Sequence, residues 1–262
     1  MLPKKNWTDE VYNFLTSIRE GKEVVAFDFD NTLIKNDFGE AVMEYILYSG
    51  MPKFKGDFSK YFLPNEIEAK EIWKSKFHSP KILRDFTISE YEKIIEVQGL
   101  EKGYRWTSFI FSGYSPQELR NLAREVWNKD KTISPYKEMK DLIVYFKKLQ
   151  KDIFIVTASP TVVIQEIAGE FGIEEENVIG MNSKILNGIF TDEIIEPYTY
   201  GKGKVKALQK FLKDTPALAF GDSENDFELL KYSKKGIFID KGIQKYKEKF
   251  LEIGSLIQPR FQ

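Results

Sequence analysis

Two aspartates separated by one phenylalanine close the apolar run of VVAFDFDNT, so that Asp28 and Asp30 precede Asn31 and Thr32. Packing gains nothing from carboxylates at the end of a buried strand, because charge is costly to bury unless it is paired. FIVTASP ends a second apolar run in Thr157, Ala158 and Ser159, and LAFGDSEND ends a third in Asp222 and Asp226. Brought together, these carboxylates are too many like charges to stay ionised without a cation. A hard, oxygen-seeking ion resolves the conflict, and Mg²⁺ is the expected one, since carboxylate and phosphate oxygens suit it. YGKGKVKAL supplies Lys204, whose ammonium beside Thr157 would balance a dianionic phosphoryl group. Carboxylates, magnesium, a hydroxyl and a lysine are the parts a phosphoryl-transfer site needs.

The elements around these residues explain how they could meet. EVVAFD, DIFIVTASP, ENVIGM, ALAFGD and GIFID are short, apolar and bounded by polar residues, as buried strands are. Helical patterns alternate with them. DEVYNFLTSIRE follows a capping Thr8 and stops at Gly21, and YKEMKDLIVYFKKLQ puts Met139, Leu142, Ile143, Phe146 and Leu149 on one face. TVVIQEIAGEF runs to Gly172. Strands alternating with helices imply an α/β fold with a doubly wound parallel sheet, whose strand carboxyl ends share one edge. The segment 37–133 has another texture, with helical stretches such as EAVMEYILYSG and SPQELRNLAREVWNK and no central strand. The expected organisation is a core of residues 1–36 and 134–262, interrupted after its first strand by a helical cap of residues 37–133. KILNGIF, with an Asn187-Gly188 turn between apolar residues, signals a small hairpin.

Each chemical reading has a structural rival. Thr157 and Ser159 alone read as caps for the helix TVVIQEIAGEF. Lys204 lies between Lys202 and Lys206, and a lysine run is usually a solvated face; its place four residues before Leu208, at the helix start, singles it out. His78, the only histidine, lies beside Ser79-Pro80 and suits a loop or surface role, since no second histidine shares a metal with it.

Composition removes several other classes. The 262 residues are 42% hydrophobic and 30% charged, the proportions of a globular protein. Lysine plus arginine (39) nearly balance aspartate plus glutamate (40), which marks neither a nucleic-acid nor a membrane-surface binder. Cysteine is absent, which excludes disulfides and thiol catalysis. MLPKKNWTDE has no signal-peptide pattern and no apolar run is long enough to span a bilayer, so a cytoplasmic location is expected.

The four motifs, in this order, resemble the haloacid dehalogenase superfamily of aspartate-nucleophile phosphatases: Asp28-Phe29-Asp30-Asn31-Thr32, then Thr157, then Lys204, then GDSEND from Gly221 to Asp226. The resemblance implies a Rossmann-like core and attack on phosphorus by Asp28, giving an aspartyl-phosphate. It implies that Asp30 protonates the leaving oxygen and then deprotonates water. Mg²⁺ would be held by Asp28, the backbone carbonyl of Asp30 and Asp222, with Asp226 orienting waters around the metal. Thr157, the N–H of Ala158 and Lys204 would hold the phosphoryl oxygens. A receiver-type signalling domain uses similar groups but is shorter and orders its acidic residues differently. A non-catalytic phosphate-binding protein of the same fold would be expected to lose Asp28 or Asp30.

The helical insert resembles that of the phosphoserine-phosphatase-like branch, although that enzyme's arginine-bearing cap motif is not present. KNDFGEAVMEYIL and YRWTSFIFSGYSPQELRNLAREVW are more similar to relatives acting on phosphocholine or phosphoethanolamine. The expected substrate is thus a small phosphorylated metabolite, phosphocholine or phosphoethanolamine, with phosphoserine as the alternative. Asp37 and Glu40 are the carboxylates expected to meet an amine head group. Trp73, Tyr104, Trp106, Phe109, Phe111, Tyr114 and Trp127 either offer rings to an ammonium group or form the insert's own core.

Overall fold

The computed structural model describes residues 1–75 and 79–262, so His78 lies outside the described residues. The helices are α1 (Asp9–Ser17), α2 (Phe38–Tyr48), α3 (Glu66–Ser75), α4 (Pro80–Gln98), α5 (Leu100–Thr107), α6 (Pro116–Lys129), α7 (Lys137–Lys148), α8 (Thr161–Ala168), α9 (Lys202–Leu208), α10 (Phe227–Tyr232) and α11 (Gln244–Glu252). The strands are β1 (Val24–Phe27), β2 (Ile34–Lys35), β3 (Ser134–Pro135), β4 (Asp152–Pro160), β5 (Val178–Met181), β6 (Ser183–Leu186), β7 (Ile189–Ile194), β8 (Leu218–Gly221), β9 (Lys235–Asp240) and β10 (Leu256–Pro259).

The chain divides into two compact units. One comprises Met1–Asp37, Asp130–Met181 and Glu196–Gln262; the other comprises Phe38–Lys129 and Asn182–Ile195. The first is built on a six-stranded sheet in the order β10-β9-β8-β1-β4-β5, with every neighbouring pair parallel. Helices cover both faces of such a sheet, which is why VVAF and LAFG are apolar throughout and nearly all buried. Of the face that the periodicity predicts on α7, Met139, Leu142, Ile143 and Phe146 are fully buried, while Leu149 follows the helix end and is half-buried. Phe27 and Phe220 stack at 4.5 Å between neighbouring strands. From β1 the chain fills β4 and β5 on one side, then returns to β8 on the other. The strand order reverses around β1, which opens a crevice at the carboxyl edge there.

The second unit holds α2 to α6 and the antiparallel β6–β7 hairpin, turning at Asn187 (φ 52°) and Gly188 (φ 79°). The sequence reading keeps this hairpin with residues 134–262; its contacts group it with the insert. Lys60 and Tyr61 both bond Asp192 of β7; Gly113 N–H donates to the Phe190 carbonyl, and Phe190 N–H donates to the Tyr114 carbonyl. Its interior is aromatic. Phe109 meets the rings of Phe54, Tyr61, Phe62 and Trp106, and Phe58 stacks on Trp73 at 4.5 Å. Trp106 Nε1 donates to the Tyr61 carbonyl, Tyr104 faces Tyr91, and Trp127 meets Phe38 edge-on. Of the seven rings named from sequence, Phe109, Phe111 and Tyr114 are buried, while Trp73, Tyr104, Trp106 and Trp127 are half-buried and meet other rings of the same unit. Among the described residues, no helix is long and apolar enough to cross a membrane.

Candidate active site

Three of the sheet's carboxyl ends deliver the motif residues. β1 gives way to Asp28, whose N–H donates to the Phe220 carbonyl at 2.9 Å and so ties it to β8. The chain then turns at Asn31, in the left-handed region at φ 57°, which asparagine tolerates better than most residues. That turn lets the Thr32 hydroxyl donate to Asp28 Oδ2 at 3.1 Å. β4 pairs regularly with β5 as far as Val156, then shifts register before Pro160. Thr157, Ala158 and Ser159 occupy that irregularity. Neither hydroxyl caps α8, whose N-cap is Pro160 with no side-chain bond. The Ser159 hydroxyl instead donates to Asp30 Oδ2 at 2.6 Å, and Thr157 approaches the same oxygen at 3.4 Å.

Lys204 separates from its lysine neighbours on burial: its side chain is 0% exposed, whereas Lys202 and Lys206 are exposed. Its Nζ lies 2.6 Å from Asp28 Oδ1 and 2.5 Å from Asp226 Oδ1. Two loop contacts hold it there. Asn225 Oδ1 accepts from Gly201 N–H at 2.7 Å, and the start of α9 approaches the Tyr198 carbonyl so closely that a Cβ on Gly203 would lie 1.6 Å from it. The glycine of GDSEND has a similar reason. A Cβ on Gly221 would meet the Asp226 Cβ at 2.3 Å, so only glycine lets that aspartate fold back over the strand end.

Asp28, Asp222 and Asp226 can each offer one carboxylate oxygen within 4.8 Å of the others. Their remaining capacity differs. Asp226 Oδ1 receives Lys204, and its Oδ2 accepts from Asp222 N–H, Ser223 N–H and the Ser223 hydroxyl. Its lone pairs are spent on bracing the loop. Asp222 Oδ2 is buried and pairs with Lys241 Nζ at 2.6 Å. Burial, followed by the charge of Asp226, pushes the Asp222 carboxyl up to about 6, against the pull of Lys241 and Lys204. Burial and the Asp226 charge also raise Asp28 well above the ordinary carboxylate range, despite Lys204. Burial works to lower Lys204, yet Asp226 and Asp28 outweigh it and hold its ammonium above the usual value. Three carboxylates, Asp28, Asp222 and Asp226, thus face two lysines, Lys204 and Lys241. Crowded, buried carboxylates with oxygens this close together fit a hard divalent cation, and Asp28 and Asp222 are the members less committed to bracing the loop.

The core residues named from sequence therefore converge: Asp28, Asp30, Thr157, Ala158 and Lys204 line the strand ends with Asp222 and Asp226. Asp37 is half-buried just before α2. Glu40, in the first turn of α2, accepts from the Tyr91 hydroxyl at 2.6 Å. Lys241 was missed. The signal was available, because GIFID is also a strand of this sheet, and the residue following its carboxyl end reaches the same edge.

A family model described as haloacid dehalogenase-like hydrolase matches residues 25–231. No curated protein sequence matches the chain. Among solved structures, a conserved, functionally unknown protein from Anaerococcus prevotii DSM 20548 superposes with a TM-score of 0.76 at 18% identity, covering 98% of this chain and 93% of that one. A phosphoserine phosphohydrolase-like protein from Francisella tularensis subsp. tularensis SCHU S4 gives 0.55 at 19% identity, over 90% and 94%. A phosphoserine phosphatase with a phospho-aspartyl intermediate analogue gives 0.57 at 15% identity, over 93% and 95%. Identities this low establish a shared fold.

Proposed function

The chain belongs to the haloacid dehalogenase-like hydrolase family, and from that premise we propose that it hydrolyses the phosphate ester of a small metabolite, with Asp28 as the nucleophile. The observation that supports this most is the setting of Asp28: a buried carboxylate at a strand end, gripped by Lys204 through one oxygen and Thr32 through the other. A side chain oriented from both oxygens is poised for attack along one line. Asp28 would attack phosphorus and the ester P–O bond would break, leaving an aspartyl-phosphate. Asp30 would give its proton to the departing oxygen. It would then take a proton from the water that attacks the same phosphorus, releasing phosphate and restoring Asp28.

The Thr157 hydroxyl, the Ala158 N–H and the Lys204 ammonium would hold the phosphoryl oxygens, as oriented donors hold developing charge. Mg²⁺, bound by Asp28, Asp222 and the Asp30 carbonyl, would supply Lewis-acid stabilisation of that charge. Asp226 would keep Lys204 and the Asp222 loop in register.

For the substrate, we propose a small amino-alcohol phosphate, phosphocholine or phosphoethanolamine, with Asp37 and Glu40 as the carboxylates for its cationic head group. Phosphoserine is the alternative, favoured by the fold shared with phosphoserine phosphatase. The non-catalytic reading has less support, because Asp28 and Asp30 are both retained. The test is phosphate release from phosphocholine, phosphoethanolamine, phosphoserine and glycerol phosphate, with Mg²⁺ and with chelator. Mg²⁺-dependent turnover preferring the two amino alcohols is expected. A preference for glycerol phosphate removes the cationic head group, and no release from any ester removes the phosphatase reading.

A further inference from the structure

The strand beside the Asp222 loop is followed by a lysine that none of the roles above employs. β9 closes on Asp240, whose carboxylate accepts from Gly242 N–H at 2.8 Å, and Gly242 turns the chain at φ +87°. Lys241, inside that turn, places its Nζ 2.6 Å from Asp222 Oδ2. The contact is a close pairing of opposite charges at a buried carboxylate. Two ammonium groups thus face one carboxylate cluster, and they are tethered differently. Lys204 is fully buried between two carboxylates. The Lys241 side chain is 27% exposed and has one carboxylate at ion-pair distance among the described residues. Crowded, buried carboxylates need compensating charge in every state of the site. One of the two lysines has a route to solvent, and the other does not.

We propose that Lys241 is an internal counter-cation for Asp222: it pairs with that carboxylate before a divalent ion binds and yields it when the ion arrives. Lys241 thereby sets the free Mg²⁺ concentration at which the site loads. The inference rests on the Mg²⁺ reading above. A unit positive charge held a few ångströms from a divalent cation opposes its binding by about tenfold or more, even at high effective dielectric. The same ammonium keeps Asp222 from standing unpaired while no ion is bound.

Mg²⁺ titrations of chelator-stripped wild type, Lys241→Met and Lys241→Arg, read by calorimetry and by thermal midpoint, test this. Lys241→Met, similar in length but uncharged, is expected to bind Mg²⁺ about tenfold more tightly than wild type. Its metal-free midpoint should fall below that of wild type, and the gap should close on saturation with Mg²⁺. Lys241→Arg keeps the charge and should stay near wild type. Equal or weaker Mg²⁺ binding by Lys241→Met overturns the inference while wild-type binding leaves the metal reading intact. Failure of all three proteins to bind Mg²⁺ overturns both. Should Lys241→Met not fold, Lys241→Gln is read by the same criteria.

Discussion

In the unit built on the six-stranded sheet, Asp28, Asp222, Asp226 and Lys204 are among the least exposed side chains. In the unit of Phe38–Lys129 and Asn182–Ile195, aromatic rings take the interior and charge stays mainly at the surface, Glu90 excepted. Burying ionised groups opposes folding unless each is paired, whereas burying rings favours it directly. The first unit therefore tolerates an arrangement that packing alone would not select, and such local inconsistency is where function is expected. The second follows the ordinary rule for a core.

The sharpest way to break this contrast is to remove the reason for the buried charge. Asp28→Asn should leave the fold in place, because Lys204 keeps Asp226, while phosphate release falls by at least about 10⁴-fold, the scale on which loss of a nucleophile acts. Near-normal turnover would mean that the buried aspartate serves structure after all. Asp30→Asn should lower turnover by about 10²–10⁴-fold, the usual share of general acid–base catalysis. The loss should be smaller for nitrophenyl phosphate than for alkyl phosphates, since nitrophenolate leaves without a proton. Equal losses for both esters would take Asp30 out of the acid role.

Two substitutions then compare the interiors by stability. Lys204→Met leaves Asp28 and Asp226 facing each other unpaired, and about 3–5 kcal/mol of destabilisation is expected from breaking a buried ionic network on one side. Mg²⁺ should recover part of that loss in a urea titration. Phe109→Ala, in the ring cluster, should cost a similar 3–5 kcal/mol through the cavity it leaves. Mg²⁺ should restore nothing there. A metal-dependent rescue of Phe109→Ala would abolish the distinction drawn between the two interiors.

The contrast also explains what could be read from sequence. Asp28, Asp30, Thr157, Asp222 and Asp226 were legible because short apolar strands that end in carboxylates conflict with packing, and parallel strands bring their ends together. The β4 strand, Asp152–Pro160, has the extent of the quoted DIFIVTASP, and the Asn187-Gly188 turn is where the dipeptide puts it. β10 has no counterpart among the strands read from sequence, since SLIQPR is brief and contains a proline. Ser159 alone reads as a helix cap, but beyond the register shift of β4 its hydroxyl donates to Asp30, a long-range contact that its neighbours in sequence do not announce. The grouping of β6–β7 with the insert depends on contacts distant in sequence, such as Tyr61 with Asp192, which no local pattern announces.

The smallest expected effect concerns surface charge in the second unit. Ser115 and Glu118 form a reciprocal cap at the start of α6: Glu118 Oε2 accepts from Ser115 N–H and hydroxyl, and the Ser115 hydroxyl accepts from Glu118 N–H. Lys53 also pairs with Glu118. The Lys53 hydrogen bond first, then those from Ser115, hold the Glu118 carboxyl down at about 2. A carboxyl depressed in the folded state stabilises the protein above its unfolded value, near 4.5, and loses that contribution as pH falls towards 2. Because the side chain is 41% exposed, water and salt screen much of the pairing. Glu118→Gln, which keeps an acceptor for Ser115, should therefore cost no more than about 1 kcal/mol at neutral pH. The gap in thermal midpoint between wild type and Glu118→Gln should shrink as pH falls from about 4.5 towards 2, and also in high salt. A gap that persists unchanged at both extremes would show that it does not come from the Glu118 charge, and the screened surface pairing assigned to the second unit would be lost.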